Sequence, residues 1–143
     1  GAIILYLAEK YNKFLPSDSI NKFKCLEWLS FQIGSQGPML GQAHHFLKFN
    51  KGKSKYAEER YHKEAERLYK VMNKQLMKNR YLAGEEYTIA DIAAWPWVAR
   101  FEWHQVDLKK YEYVKTWYTK ISSREAVQKG YDVPAIGASI PKV

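Results

Sequence analysis

Apolar residues recur along this chain at intervals of three and four, the period of helices that bury one face. No segment alternates with the period of two that a half-buried strand requires. The opening run Ala2, Ile3, Ile4, Leu5, Tyr6, Leu7, Ala8 predicts a buried helix to about Tyr11, after which Phe14, Leu15 and Pro16 break the pattern. Ser17 and Asp18 offer N-caps for the next helix, in which Phe23, Leu26, Trp28, Leu29 and Ile33 keep helical spacing. Gly34, Gly37 and Pro38 predict a kink, beyond which Met39, Leu40 and Phe46 resume the helix.

A lysine-rich stretch over 48–55, with Gly52 inside it, reads as an exposed connection to a third long helix. Tyr61, Ala65, Leu68, Met72 and Leu76 form its apolar stripe, and Glu59 with Lys63 and Glu66 with Lys70 are expected to pair on its outer face. Asn79 marks its end. Thr88 and Asp91 then spell a capping box: the threonine oxygen accepts from the Asp91 amide, and the aspartate carboxylate reaches back to the Thr88 amide. Tyr87 and Ile92 occupy the two positions of a hydrophobic staple. The helix so started, 89–100, is apolar on nearly every face, as suits the centre of a bundle, and Pro96 is expected to bend it. Asp107 is a further cap, Val114, Trp117 and Ile121 give another stripe, and Ser123 is placed to cap a short last helix around Ala126 and Val127. From Tyr131 onward, Pro134, Gly137 and Pro141 predict irregular chain. The fold class is all-α.

The chain has 143 residues, enough to bury one core, and no run approaches the roughly 20 apolar residues of a membrane span. A membrane partner is therefore not expected. The net charge of +8 invites a nucleic-acid reading, but the lysines are scattered and interleaved with glutamates, which argues against one. A single cysteine, Cys25, leaves no intrachain disulfide and fits a reducing, cytoplasmic compartment. It sits on a helix read as buried, with nothing near it in sequence assigned to lower its pKa, so it reads as a core residue. The chain opens on Gly1 with neither an initiator methionine nor a capping residue ahead of a buried helix, which reads as a cut through a longer protein.

The segment YLAGEEYTIADIAAWPWV resembles the signature of the glutathione-transferase C-terminal domain. The opening GAIILYLAEKY followed by FLPSD resembles the last helix of that family's thioredoxin-like N-terminal domain running into the interdomain linker. WLSFQIGSQGPMLGQAHHF and KYAEERYHKEAERLY narrow the resemblance to the bacterial nu-class transferases and their disulfide-bond reductase relatives. It implies two parts: 1–15 as a remnant helix and linker, and 16–143 as the all-helical C-terminal domain. It also implies glutathione as substrate or ligand, a small electrophile or disulfide as co-substrate, and a homodimer. The family's thiol-activating residues lie on the N-terminal domain, so no catalytic residue is expected here.

By the same resemblance, Arg60 falls where nu-class members place an arginine that meets a glutathione carboxylate, a role suited to a guanidinium's paired donors. The plainer alternative is a surface pair with Glu64. Gln42, His44 and His45 lie where the second helix of the domain would face the cleft, and are candidates for the electrophile or second-thiol pocket; the alternative is a solvated polar patch. A metal site from His44, His45 and His62 is disfavoured, because adjacent helical residues point about 100° apart and no cysteine or acidic ligand completes the set. No metal is expected. Asp91 is accounted for by its cap, and Trp95, Trp97 and Trp103 by core or cleft wall. A second reading stays open, a non-catalytic protein-protein interaction module of the same fold, because fold alone does not decide function.

Overall fold

The computed structural model describes residues 1–134, 137 and 139–143, and among them the regular elements are all helical, with one isolated antiparallel bridge between Tyr81 and Gly84 and no strand. The helices are α1 (Ala2–Tyr11), α2 (Ser19–Phe31), α3 (Gly37–Ala43), α4 (Lys55–Leu76), α5 (Ile89–Val98), α6 (Glu112–Ser122) and α7 (Glu125–Tyr131). Two π-helical segments, Gln32–Gln36 and His44–Phe49, flank α3 and make 19–49 one continuous helical rod. The disturbance expected at Gly34 to Pro38 thus falls within a helix that continues beyond it, as a widened turn. Pro38 lacks an N–H and disturbs the i to i−4 ladder, and a widened π turn takes up the mismatch. Gly37 is needed at this point: a Cβ there would come 3.2 Å from the Gln32 carbonyl and 3.4 Å from the Trp97 ring, so its absence lets α5 lie close.

Asp18 caps α2 by accepting from the Asn21 amide at 3.0 Å. In α4 the stripe Ala65, Leu68, Met72 and Leu76 is buried as its spacing requires, with Tyr61 half-buried at one end. The expected Glu59–Lys63 and Glu66–Lys70 pairs are absent from the ion pairs among the described residues. The α4 carboxylate that forms an ion pair among the described residues is Glu64, held by Arg67 one turn on. Exposed i,i+4 partners gain only a few tenths of a kcal/mol, too little to hold two long side chains together. Helix α4 ends at Leu76, and Asn79 donates to the Gln75 carbonyl at 3.1 Å, satisfying one C-terminal acceptor.

Helix α5 packs against α1, α2, α3 and α6, and its Ala90, Ala94 and Val98 are inaccessible. It is not buried all round: Pro96 is exposed and Ile92 and Trp97 are only half covered. The capping box is present as the sequence requires, with Thr88 N–H donating to Asp91 at 3.0 Å. The Asp91 carboxylate does more than cap. It also accepts from the Leu82 amide at 3.0 Å and the Trp117 indole N–H at 2.9 Å, joining the 81–84 turn, α5 and α6 at one buried point. Burial raises its carboxyl above the ordinary range, against the pull of these donors. Ser123 does not cap α7; it closes α6, and its hydroxyl donates to the Lys120 carbonyl. Asp107 caps a short 3-10 turn, Leu108–Lys110, instead of entering α6 directly. No helix among the described residues is long and apolar enough to cross a membrane.

Candidate functional site

Two neighbourhoods along the α3 rod carry the candidate chemistry. The first is a cleft of about 400 Å³ between α3 and α4, lined by Met39, Arg60, Tyr61, Lys63, Glu64 and Arg67. Its one carboxylate is already taken: Arg67 holds Glu64 through two bonds, Nε to Oε2 at 2.8 Å and Nη2 to Oε1 at 2.7 Å. That paired contact keeps the Glu64 carboxyl below its ordinary range, and Arg60 adds only its charge from farther away. Arg60 is exposed and makes no ion pair among the described residues, so the surface pair with Glu64 is not formed. Its guanidinium lies 6.0 Å from the Tyr61 ring, Tyr61 stacks on Phe46 at 5.4 Å, and Phe46 meets His45 edge-on at 4.7 Å. His45 is exposed and bonded to Asn50, and Gln42 is exposed on the same rod.

His44 turns the other way. A step of about 100° per helical residue separates it from His45 and carries it under the short 3-10 helix Phe101–His104. There it stacks on Trp97 at 5.7 Å, meets Trp103 edge-on at 5.2 Å and contacts His104 through their Nε2 atoms at 2.7 Å. His104 is fully buried and its Nδ1 lies 2.9 Å from the Tyr69 hydroxyl. Burial pushes His104 down to about 3 and lowers His44 less, with Arg100 adding to the second shift. Both rings are neutral at pH 7. His62 bonds the Gln105 carbonyl at 3.3 Å, so the three histidines weighed as metal ligands occupy three different settings. Among the described residues no group of three or more potential ligands is close enough to hold a metal ion.

Sequence reading passed over Tyr69 and His104. They lie 35 residues apart, and 60 separate His104 from His44, so no local spacing signals the contact. The single clue was a histidine inside an aromatic segment, FEWH.

Arg100 links this neighbourhood to a larger cavity of about 490 Å³, walled by Ile92, Trp95 and Pro96 of α5 and by Val127 and Tyr131 of α7. Its guanidinium lies 4.9 Å from the Trp103 ring and donates to the Tyr131 hydroxyl at 2.8 Å. Tyr87 and Ile92, the two staple residues, line the same cavity, and burial pushes the Tyr87 hydroxyl up to about 12.

Residues 37–125, which include α3 to α6 and both neighbourhoods, match the family model described as "Glutathione S-transferase, C-terminal domain". The chain belongs to the glutathione S-transferase family. Among curated members of that family it is 48% identical over 126 residues to the disulfide-bond oxidoreductase YfcG of Escherichia coli, an alignment covering 88% of this chain and 59% of YfcG. Solved glutathione transferases superimpose closely. That from Burkholderia graminis, with two glutathione molecules bound per subunit, gives a TM-score of 0.87 at 32% identity, over 95% of this chain and 60% of that one. That from Pseudomonas putida, with one glutathione disulfide bound per subunit, gives 0.86 at 37% identity, over 93% and 60%. The chain therefore spans about six tenths of the length of these relatives.

Proposed function

We propose that this chain is the helical co-substrate and dimerisation half of a glutathione-dependent transferase or disulfide reductase. In this reading 1–15 is the last helix of a thioredoxin-like domain with its linker, and 16–143 is the helical domain it joins. The observation that carries it is the charge state of the α3/α4 cleft. Glu64 is saturated by Arg67, and Arg60 is left at the edge with a free guanidinium, the donor pattern that takes a glutathione carboxylate. The bound glutathione and glutathione disulfide of the related structures support the ligand class.

The co-substrate, a small electrophile or a disulfide, then lies against His44, with Trp97 and Trp103 as wall, while Gln42 and His45 stand exposed elsewhere on the rod. No group in the chain is assigned to activating the glutathione thiol: Cys25 is fully buried, and the role falls to the thioredoxin-like domain. Ile20 and Phe23 on α2 stand 72% and 68% exposed, which supports a homodimer that covers them. The compartment is cytoplasmic, in keeping with one buried free cysteine.

The test is turnover by the whole gene product of glutathione with a model disulfide and, separately, with an electrophilic arene. Activity on either supports the reading. Inactivity on both, with the protein folded, sinks it and leaves the non-catalytic interaction module.

A further inference from the structure

Tyr69, His104 and His44 form a hydrogen-bonded chain from the core to the surface, and its direction can be worked out from one end. Tyr69 and His104 are buried, and the only partner of the Tyr69 hydroxyl among the described residues is His104 Nδ1, at 2.9 Å. A buried hydroxyl with a single partner donates to it, since accepting instead would strand its own proton at a cost of about 1–3 kcal/mol. His104 Nδ1 therefore carries the lone pair, and the proton of this neutral ring sits on Nε2. That N–H faces His44 Nε2 at 2.7 Å, which must accept. The remaining proton of His44 is thereby fixed on Nδ1.

Nδ1 of His44 has no hydrogen-bond partner among the described residues, yet it is not a buried unsatisfied atom; that condition belongs to Gln36 Oε1 alone. It is not fully enclosed. The neighbours of the His44 ring, and of the Trp103 ring beside it, are flat or positive. Trp97 stacks against His44, and Trp103 carries His44 at 5.2 Å, the Arg100 guanidinium at 4.9 Å and the Lys48 ammonium at 5.8 Å. Arg100 spends Nη1 on Tyr131 and has no carboxylate partner among the described residues. Glu102, the acidic residue of this segment, is exposed and unpaired with it.

We propose that His44 Nδ1–H and Arg100 form a recognition site for a planar organic carboxylate, whose ring lies against Trp97 and Trp103 while its oxygens accept from the imidazole and the guanidinium. The proposal names the co-substrate class and rests on reading this face as the co-substrate wall. Tyr69 and His104 act as positioning residues: they hold the His44 donor in place before the ligand arrives and deny His44 a free basic nitrogen.

The test uses the 143-residue chain at neutral pH. Nitrogen-15 spectra of the imidazoles report which nitrogen of His44 carries the proton; 1-naphthoate and its neutral analogue 1-naphthalenemethanol are then titrated in, read by tryptophan fluorescence. The expected results are a protonated Nδ1, and naphthoate binding at least tenfold tighter than the alcohol. His44→Asn, whose amide N–H falls near the place of Nδ1–H, keeps that preference, and His44→Phe loses it. A proton on Nε2, equal binding of acid and alcohol, or an unchanged preference in His44→Phe overturns the proposal. None of these readouts involves glutathione. If they hold while the gene product fails to turn over glutathione, the carboxylate site stands and the transferase reading falls.

Discussion

Replacing Asp91 by alanine is expected to destabilise the fold by roughly 3–5 kcal/mol, read as a fall in the denaturation midpoint. The carboxylate takes bonds from the Leu82 amide, the Thr88 amide, the Thr88 hydroxyl and the Trp117 indole, all buried. Alanine leaves these donors with no acceptor and no water, and each stranded donor costs about 1–3 kcal/mol before relaxation. A loss of this size is a large part of the roughly 5–15 kcal/mol that holds a domain folded. Two comparisons separate this from simple capping. Thr88→Ala removes the cap oxygen and is expected to cost about 1 kcal/mol. Asp91→Asn keeps one acceptor oxygen but turns an amide N–H toward two donors, and should fall between the two. An Asp91→Ala no worse than Thr88→Ala would mean that the links to Leu82 and Trp117 contribute nothing.

The second large effect is acid destabilisation through His104. Its folded pKa, about 3, lies below the ordinary value of 6.5, because charging the ring inside the core is unfavourable. For a depressed pKa the contribution to stability is complete above pH 6.5 and is lost as the pH falls toward 3, because the unfolded chain takes the proton first. Between pH 6.5 and 4.5 the loss is about 2–3 kcal/mol, at 1.36 kcal/mol per unit. His44, shifted the same way, adds to it. The lowered carboxyls of Asp18 and Glu64 lose their contribution only as the pH falls below their ordinary values, 3.8 and 4.5, and the raised carboxyl of Asp91 works in the opposite sense, so the fall above pH 4.5 belongs to the histidine pair. Melting temperatures across pH 7.5 to 4.5 should fall steeply in the wild type and much less in His104→Gln. Equal slopes would show that His104 does not carry the effect.

These two sites also show what the sequence makes legible. The Thr88–Asp91 reciprocity lies within one helical turn, so a local pattern reveals it; that the same carboxylate reaches Leu82 and Trp117 depends on how α5 and α6 pack, 26 residues apart. The α4 stripe is visible because burial repeats every three to four residues, whereas its surface ion pairs are not, since exposed charges choose among partners of nearly equal energy. The π segments around Gly37 escaped for a related reason. Proline and glycine announce a disturbance, but whether it becomes a break or a widened turn is decided by Trp97 lying against α3. In the candidate site, sequence placed Arg60, Gln42, His44 and His45 on neighbouring elements and could not show that His44 faces away from the others. The 100° step between His44 and His45 was known in advance. Which of the two turned inward was set by Trp97, Trp103 and His104, none of them near in sequence.

The most direct test of the account is the glutathione affinity of the whole gene product, measured by equilibrium titration for the wild type, Arg60→Lys and Arg60→Ala. Arg60 is exposed and unpaired, so neither change should disturb folding, and melting temperature confirms this independently. A guanidinium on a carboxylate contributes about 1.5–3 kcal/mol, which predicts a roughly tenfold to hundredfold loss in Arg60→Ala and partial recovery in Arg60→Lys. An Arg60→Ala protein that binds glutathione as tightly as the wild type would contradict the account at its centre.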